Sequence, residues 1–130
     1  MGPIVLIVDD SADGTLLTEL ALNMLHKRIR AKKVSSGTAA LEFMHTAAEL
    51  PALVLLDLTM PGINGIETLK RIRADERLKN IPVVVTTVST LETDREAAEE
   101  AGANGFVHKA IRLHDFGKDL EKHIKFWTEK

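Results

Sequence analysis

The sequence has no cysteine, which removes disulfides, thiolate metal sites and a cysteine nucleophile at once. That agrees with a reducing compartment, and a cytoplasmic location is the expectation. No apolar run approaches the ~20 residues a membrane-spanning helix requires, so no membrane insertion is expected. The start, Met1-Gly2-Pro3 followed by a short apolar run and then Asp9-Asp10, lacks the basic opening and small-residue cleavage site of a signal peptide. Charge of one sign is missing too. With 17 Lys and Arg against 19 Asp and Glu, the net charge of -2 offers no basic field for gripping phosphate backbones. Direct nucleic-acid binding is therefore not expected. The five histidines have no metal-ligand spacing.

What is present suits one globular domain spanning residues 1–130, with 45% hydrophobic and 28% charged residues. The most informative stretch is Leu53 to Gly65, LVLLDLTMPGING. Four consecutive apolar residues running into Asp57 suit a strand buried on both faces, which belongs in a parallel sheet. Met60-Pro61-Gly62 and Asn64-Gly65 then supply turn chemistry ahead of a helix. A carboxylate at the carboxyl end of a parallel strand sits where open α/β sheets bind ligands. Asp57 is therefore a candidate for chemistry, the alternative being a residue that merely caps the loop.

Four more strands and five helices fit around that stretch. Ile4 to Val8 is a largely β-branched strand ending at Asp9 and Asp10, and Ser11 can cap the helix that follows. Leu16, Leu17, Leu20, Ala21, Met24 and Leu25 form its apolar stripe. Ala31 to Val34 is a short polar strand suited to a sheet edge. A second helix starts at Gly37 or Thr38, with Ala40, Leu41, Met44 and Ala48 facing inward. A third spans Ile66 to Arg73, and Asp75 to Asn80 is a polar connection. Ile81 to Thr87 is a strand with its proline at the start. Ser89 with Glu92 reads as a capping box for a thinly apolar fourth helix, with Leu91, Ala97, Ala98 and Ala101 inward, ending near Gly102. Gly105 to His108 is a last strand before Lys109. Leu113, Phe116, Leu120, Ile124 and Trp127 stripe the final helix.

This alternation predicts an α/β fold with right-handed crossovers. If the five-stranded parallel sheet has the flavodoxin-like doubly wound order 2-1-3-4-5, the crevice above the first and third strands gathers Asp9, Asp10 and Asp57. Two like charges ~4 Å apart repel by about 4 kcal/mol at an effective dielectric near 20. A proton can relieve this, but a hard divalent cation does so better, and an all-oxygen set with room for water suits Mg²⁺. Thr87 and Lys109, at the other strand ends, add a hydroxyl and an ammonium. The set is equipment for phosphoryl transfer onto a carboxylate.

The acidic pair Asp9-Asp10, the run Asp57-Leu58-Thr59-Met60-Pro61 with Gly65 beyond it, Thr87, Phe106 and Lys109 together resemble the response-regulator receiver domains of the CheY-like family. The resemblance covers the whole chain. It implies that Asp57 accepts a phosphoryl group from a phosphohistidine on a histidine kinase or phosphotransfer protein, or from a small donor, and later loses it by hydrolysis. Such a protein catalyses its own phosphorylation and dephosphorylation without being a conventional enzyme. By the same resemblance Mg²⁺ is held by Asp10, Asp57 and the backbone carbonyl of Thr59, and through water by Asp9. Lys109 pairs with the phosphoryl group, Thr87 moves to bond it, and Phe106 turns inward. The face made by helix four, strand five and helix five then signals to a downstream protein or a second copy of the chain.

Four positions tune or depart from that pattern. Ala110 stands where the family has proline. A cis bond before a non-proline residue costs about 2.5 to 4 kcal/mol, against roughly 0.5 to 1 before proline. Val88 replaces a smaller residue and crowds the phosphoryl site, while Thr59 and Ser89 occupy lifetime-tuning positions. The ending DFGKDLEKHIKFW, Asp115 to Trp127, is similar to the tails of single-domain regulators that partner phytochrome-type histidine kinases. The alternative is that Phe126 and Trp127 only complete the packing of the last helix. Other classes are a phosphorylation-independent scaffold, a flavin binder, which Asp9-Asp10 would repel without a metal, and a haloacid-dehalogenase-type phosphatase. The last wants an aspartate where Thr59 stands.

Overall fold

The computed structural model describes residues 2–23, 28–58, 64–88, 91–109 and 113–128. Strands β1 (Ile4–Val8), β2 (Arg30–Val34), β3 (Leu53–Asp57), β4 (Val83–Thr87) and β5 (Gly105–His108) alternate with helices. These are α1 (Ala12–Asn23), α2 (Gly37–Thr46), α3 (Gly65–Ala74), α4 (Glu92–Ala101) and α5 (Leu113–Thr128). The strands form one parallel sheet in the order β2-β1-β3-β4-β5, the flavodoxin-like α/β arrangement expected.

Because side chains alternate across a strand, the continuous apolar runs feed two cores. Leu6, Val8, Val54, Leu56, Val83 and Val85 point to the side where Ala40 and Met44 of α2, Leu69 and Ile72 of α3, and Ala98 and Ala101 of α4 pack. Val5, Ile7, Leu53, Leu55, Val84 and Val107 point to the other side, against Ala21 and Leu22 of α1 and Phe116, Leu120 and Ile124 of α5. β2 is buried on neither face, as its lysines required of an edge.

Helix starts follow local chemistry. Ser11 Oγ accepts from Gly14 N at 3.1 Å, Ser36 Oγ from Ala39 N at 3.0 Å, and Asn64 Oδ1 from Glu67 N at 2.9 Å. Gly65 opens α3 so close to the end of β3 that a Cβ would run into the Leu58 backbone, and its N–H donates to Leu58 O at 3.0 Å. Gly102 ends α4 in the left-handed region at φ 105°.

Several expected core positions are corrected. Leu16 and Leu20 are 55% and 43% exposed, because α1 turns Thr18 and Leu22 inward alongside the expected Ala21. Thr18 tolerates burial because its hydroxyl donates to Gly14 O at 3.1 Å. Met24 and Leu25 lie outside the described residues. Ala48 is exposed beyond the end of α2. Leu91 is 62% exposed and precedes α4 as its N-cap, without a side-chain cap, so the helix begins later than a Ser89 cap requires. Ser89 itself lies outside the described residues. Leu78, inside the connection read as polar, is fully buried.

Candidate functional site

The register of the sheet brings the five strand ends level. Val8 is opposite both Val34 and Leu56, Asp57 is opposite Thr86, and Thr87 is opposite His108. One residue past β1, Asp9 is held by its own N–H donating to Val34 O at 3.2 Å. Lys109 N donates to Thr87 O at 2.7 Å and so extends the β4–β5 ladder to the lysine. Asp9, Asp10, Asp57, Thr87 and Lys109 all line one cleft of about 520 Å³. The convergence expected from the sequence is present.

Carboxylate oxygens of Asp9, Asp10 and Asp57 lie within 4.8 Å of one another. Asp9 and Asp57 are buried and Asp10 is exposed, so the cluster faces solvent on one side only. Lys109, with its side chain 7% exposed, places Nζ 2.6 Å from Asp9 Oδ2 and 3.7 Å from Asp57 Oδ1. Asp9 Oδ1 accepts from Ser11 N at 2.9 Å. One ammonium cannot balance three carboxylates. The remaining negative charge, carried on hard oxygen donors beside open space, fits a divalent cation of the Mg²⁺ or Mn²⁺ kind.

Thr87 closes β4 and is fully buried at the floor of the cleft, while Val88 stands on its rim, 74% exposed. The backbone there is tied across the sheet, His108 Nε2 donating to Val88 O at 3.0 Å. Phe106 is half-buried in β5 against the core, and the Arg95 guanidinium carbon sits 5.5 Å from its ring centroid. Phe126 and Trp127 meet edge to face, with centroids 4.7 Å apart and Phe126 59% exposed. Thr59, Ser89 and Ala110 lie outside the described residues.

Sequence reasoning missed three cleft residues from the first turns of α1, namely Asp13, Gly14 and Leu17. A glycine in a helical turn just after an acidic pair was the available signal, since glycine is a poor helix former and needs a reason to be there.

Comparison with known proteins agrees with this geometry. A family model described as the response regulator receiver domain matches residues 5–121. The response regulator Rcp1 of Synechocystis sp. is 35% identical over 134 residues, covering 97% of this chain and 89% of that protein. The Mn²⁺-bound form of response regulator Rcp1 superposes with a TM-score of 0.84 at 32% identity, covering 98% of this chain and 96% of the other. The phosphorylated cyanobacterial phytochrome response regulator RcpA gives a TM-score of 0.87 at 27% identity, over 98% and 94% of the two chains.

Proposed function

The chain belongs to the response regulator receiver domain family of two-component signalling, and on that premise we propose that it is a stand-alone cytoplasmic switch phosphorylated on Asp57. The observation that carries this is the meeting of Asp9, Asp10, Asp57 and Lys109 at the carboxyl ends of β1, β3 and β5 of one sheet. A carboxylate oxygen of Asp57 attacks phosphorus, the P–N bond to a donor histidine breaks, and the imidazole leaves with its electron pair. Water later attacks the same phosphorus, returning the Asp57 carboxylate and inorganic phosphate.

Asp10 and Asp57, the carbonyl of Thr59, and Asp9 through water would hold Mg²⁺. When bound, it supplies positive charge against which phosphoryl oxygens can approach an acidic cleft. Lys109 lies within a short swing of Asp57 and neutralises the new phosphoryl charge, and the Thr87 hydroxyl donates to it. Shifting a two-state equilibrium from 1:99 to 99:1 takes about 5.5 kcal/mol. Two charge-assisted hydrogen bonds of roughly 1.5 to 3 kcal/mol each come close to that. Phe106 turns inward, and the α4-β5-α5 face passes the change to a downstream protein or a second copy of the chain. α4 is suited to moving because it buries only Ala98 and Ala101. Receiver domains take their phosphoryl groups from histidine kinases, and the likeness to RcpA supports a phytochrome-like kinase as donor.

Intact-protein mass after incubation with Mg²⁺ and acetyl phosphate tests the reading. One added phosphoryl group on the natural chain, and none on Asp57→Asn, is the expected result. No addition to either would favour a phosphorylation-independent scaffold.

A further inference from the structure

Gly14 occupies the third position of α1, and glycine is in general a poorer helix former than any residue but proline. Its backbone is used as in any helix. The N–H donates to Ser11 Oγ at 3.1 Å and the carbonyl accepts from Thr18 Oγ1 at 3.1 Å. Its φ is not in the left-handed region, since Gly102 alone is so placed among the glycines of the described residues. Conformation therefore does not explain the glycine. Space does. A Cβ built there would overlap Asp9 Oδ2, with Asp9 Cγ at 3.0 Å and Oδ1 at 3.1 Å.

The Asp9 carboxylate is thus fixed from three directions. Oδ1 accepts from Ser11 N at 2.9 Å, Oδ2 accepts from Lys109 Nζ at 2.6 Å, and both oxygens border the space that a Cβ on Gly14 would fill. Asp9 is 4% exposed, so it has little freedom to yield toward solvent. A side chain at position 14 would drive the carboxylate out of this position and disturb its bonds to Ser11 or Lys109. We propose that Gly14 is a positioning residue for the divalent cation, the space it leaves being what lets Asp9 lie back against α1 at the separation from Asp10 and Asp57 that the cation needs. This rests on the cation site proposed above, and concerns its affinity rather than the phosphoryl chemistry.

The test is direct Mn²⁺ binding, by calorimetry or by the loss of the free-ion electron paramagnetic signal, on the full chain. Disturbing a group that orients a metal's ligands weakens binding by about 10- to 100-fold. Gly14→Ala is expected to show a loss of that size while keeping its helical circular dichroism, since alanine favours the helix, with a lowered thermal midpoint as the buried Asp9–Lys109 contact is disturbed. In an Asp9→Ala background, where the carboxylate is gone, adding Gly14→Ala should change affinity by less than about twofold. If Gly14→Ala alone loses the fold, the double variant should regain it. Wild-type affinity in Gly14→Ala, an equal loss in both backgrounds, or a double variant that stays unfolded would each overturn the proposal. Absence of Mn²⁺ binding by the natural chain would overturn both this and the site on which it rests, whereas normal natural binding with an unaffected Gly14→Ala would overturn this alone.

Discussion

Lys109 pairs with Asp9, its Nζ 2.6 Å from Asp9 Oδ2. Asp57, the carboxylate proposed to accept phosphorus, lies farther from the same ammonium, at 3.7 Å. The pair is buried, with side chains 7% and 3% exposed. Lysine therefore balances part of the acidic cluster in the arrangement seen, and only a small movement separates that duty from contact with a group on Asp57.

Removal of the ammonium should expose that duty. Breaking a buried ion pair from one side costs about 3 kcal/mol or more, so Lys109→Met should lower urea stability by roughly that amount in the presence of a chelator. Added Mg²⁺ should restore a larger share in the variant than it adds to the natural chain. Equal stability of the two proteins in chelator would show that the pair does not hold the cluster together.

His123 of α5 supplies a pH dependence. Burial lowers its pKa from the ordinary 6.5, Asp119 opposing and Lys122 adding to the effect. A base whose folded pKa lies below its unfolded one is favoured neutral in the fold. Its full contribution is therefore present above about pH 6.5 and is lost as pH falls toward and through the folded value. Urea midpoints should drop between pH 7 and pH 5, and His123→Gln should flatten that drop. An identical slope in the variant would place the dependence elsewhere.

Arg95 lies over the Phe106 ring at 5.5 Å, a contact worth about 0.5 to 1 kcal/mol at an exposed site. The inward rotation proposed for Phe106 would give that contact up. Arg95→Ala should therefore raise the inward population about two- to fivefold before phosphorylation. Aromatic resonances of Phe106, compared with and without beryllofluoride, read that population directly. An unshifted resonance would mean that Arg95 does not restrain the ring.

Arg73 ties α3 to the α3–β4 and α4–β5 connections. Its guanidinium donates to Gly102 O at 3.0 Å, Ile81 O at 2.8 Å, Lys79 O at 3.1 Å and Asn104 Oδ1 at 2.8 Å. Burial lowers its pKa. Truncation strands several carbonyls, so Arg73→Ala should cost about 2 to 3 kcal/mol in denaturant unfolding. A loss under about 0.5 kcal/mol, the level of an ordinary surface substitution, would contradict this.

The strands were legible because a parallel sheet buries both faces, leaving unbroken apolar runs such as Ile4 to Val8 and Leu53 to Leu56. The acidic site was legible for a related reason, since those runs stop at charges. Helix faces were harder to read. α1 offers two overlapping stripes, and packing against α5 selected the one containing Thr18, whose hydroxyl is satisfied within the helix, over the one containing Leu16 and Leu20. Leu78 was hidden because its neighbours are polar, although the connection folds back over the core. Which carboxylate Lys109 would choose was not legible either. The two contacts differ by about an ångström of side-chain placement, 2.6 Å against 3.7 Å.

The central claim is that one side chain, Asp57, takes up the phosphoryl group, and reductive trapping of the acyl phosphate tests it most directly. After incubation with Mg²⁺ and acetyl phosphate, borohydride reduces an aspartyl phosphate to homoserine, which peptide mass spectrometry then locates. Conversion at position 57 alone is the predicted result. Conversion at Asp9, Asp10 or Asp13 with Asp57 untouched would contradict the account.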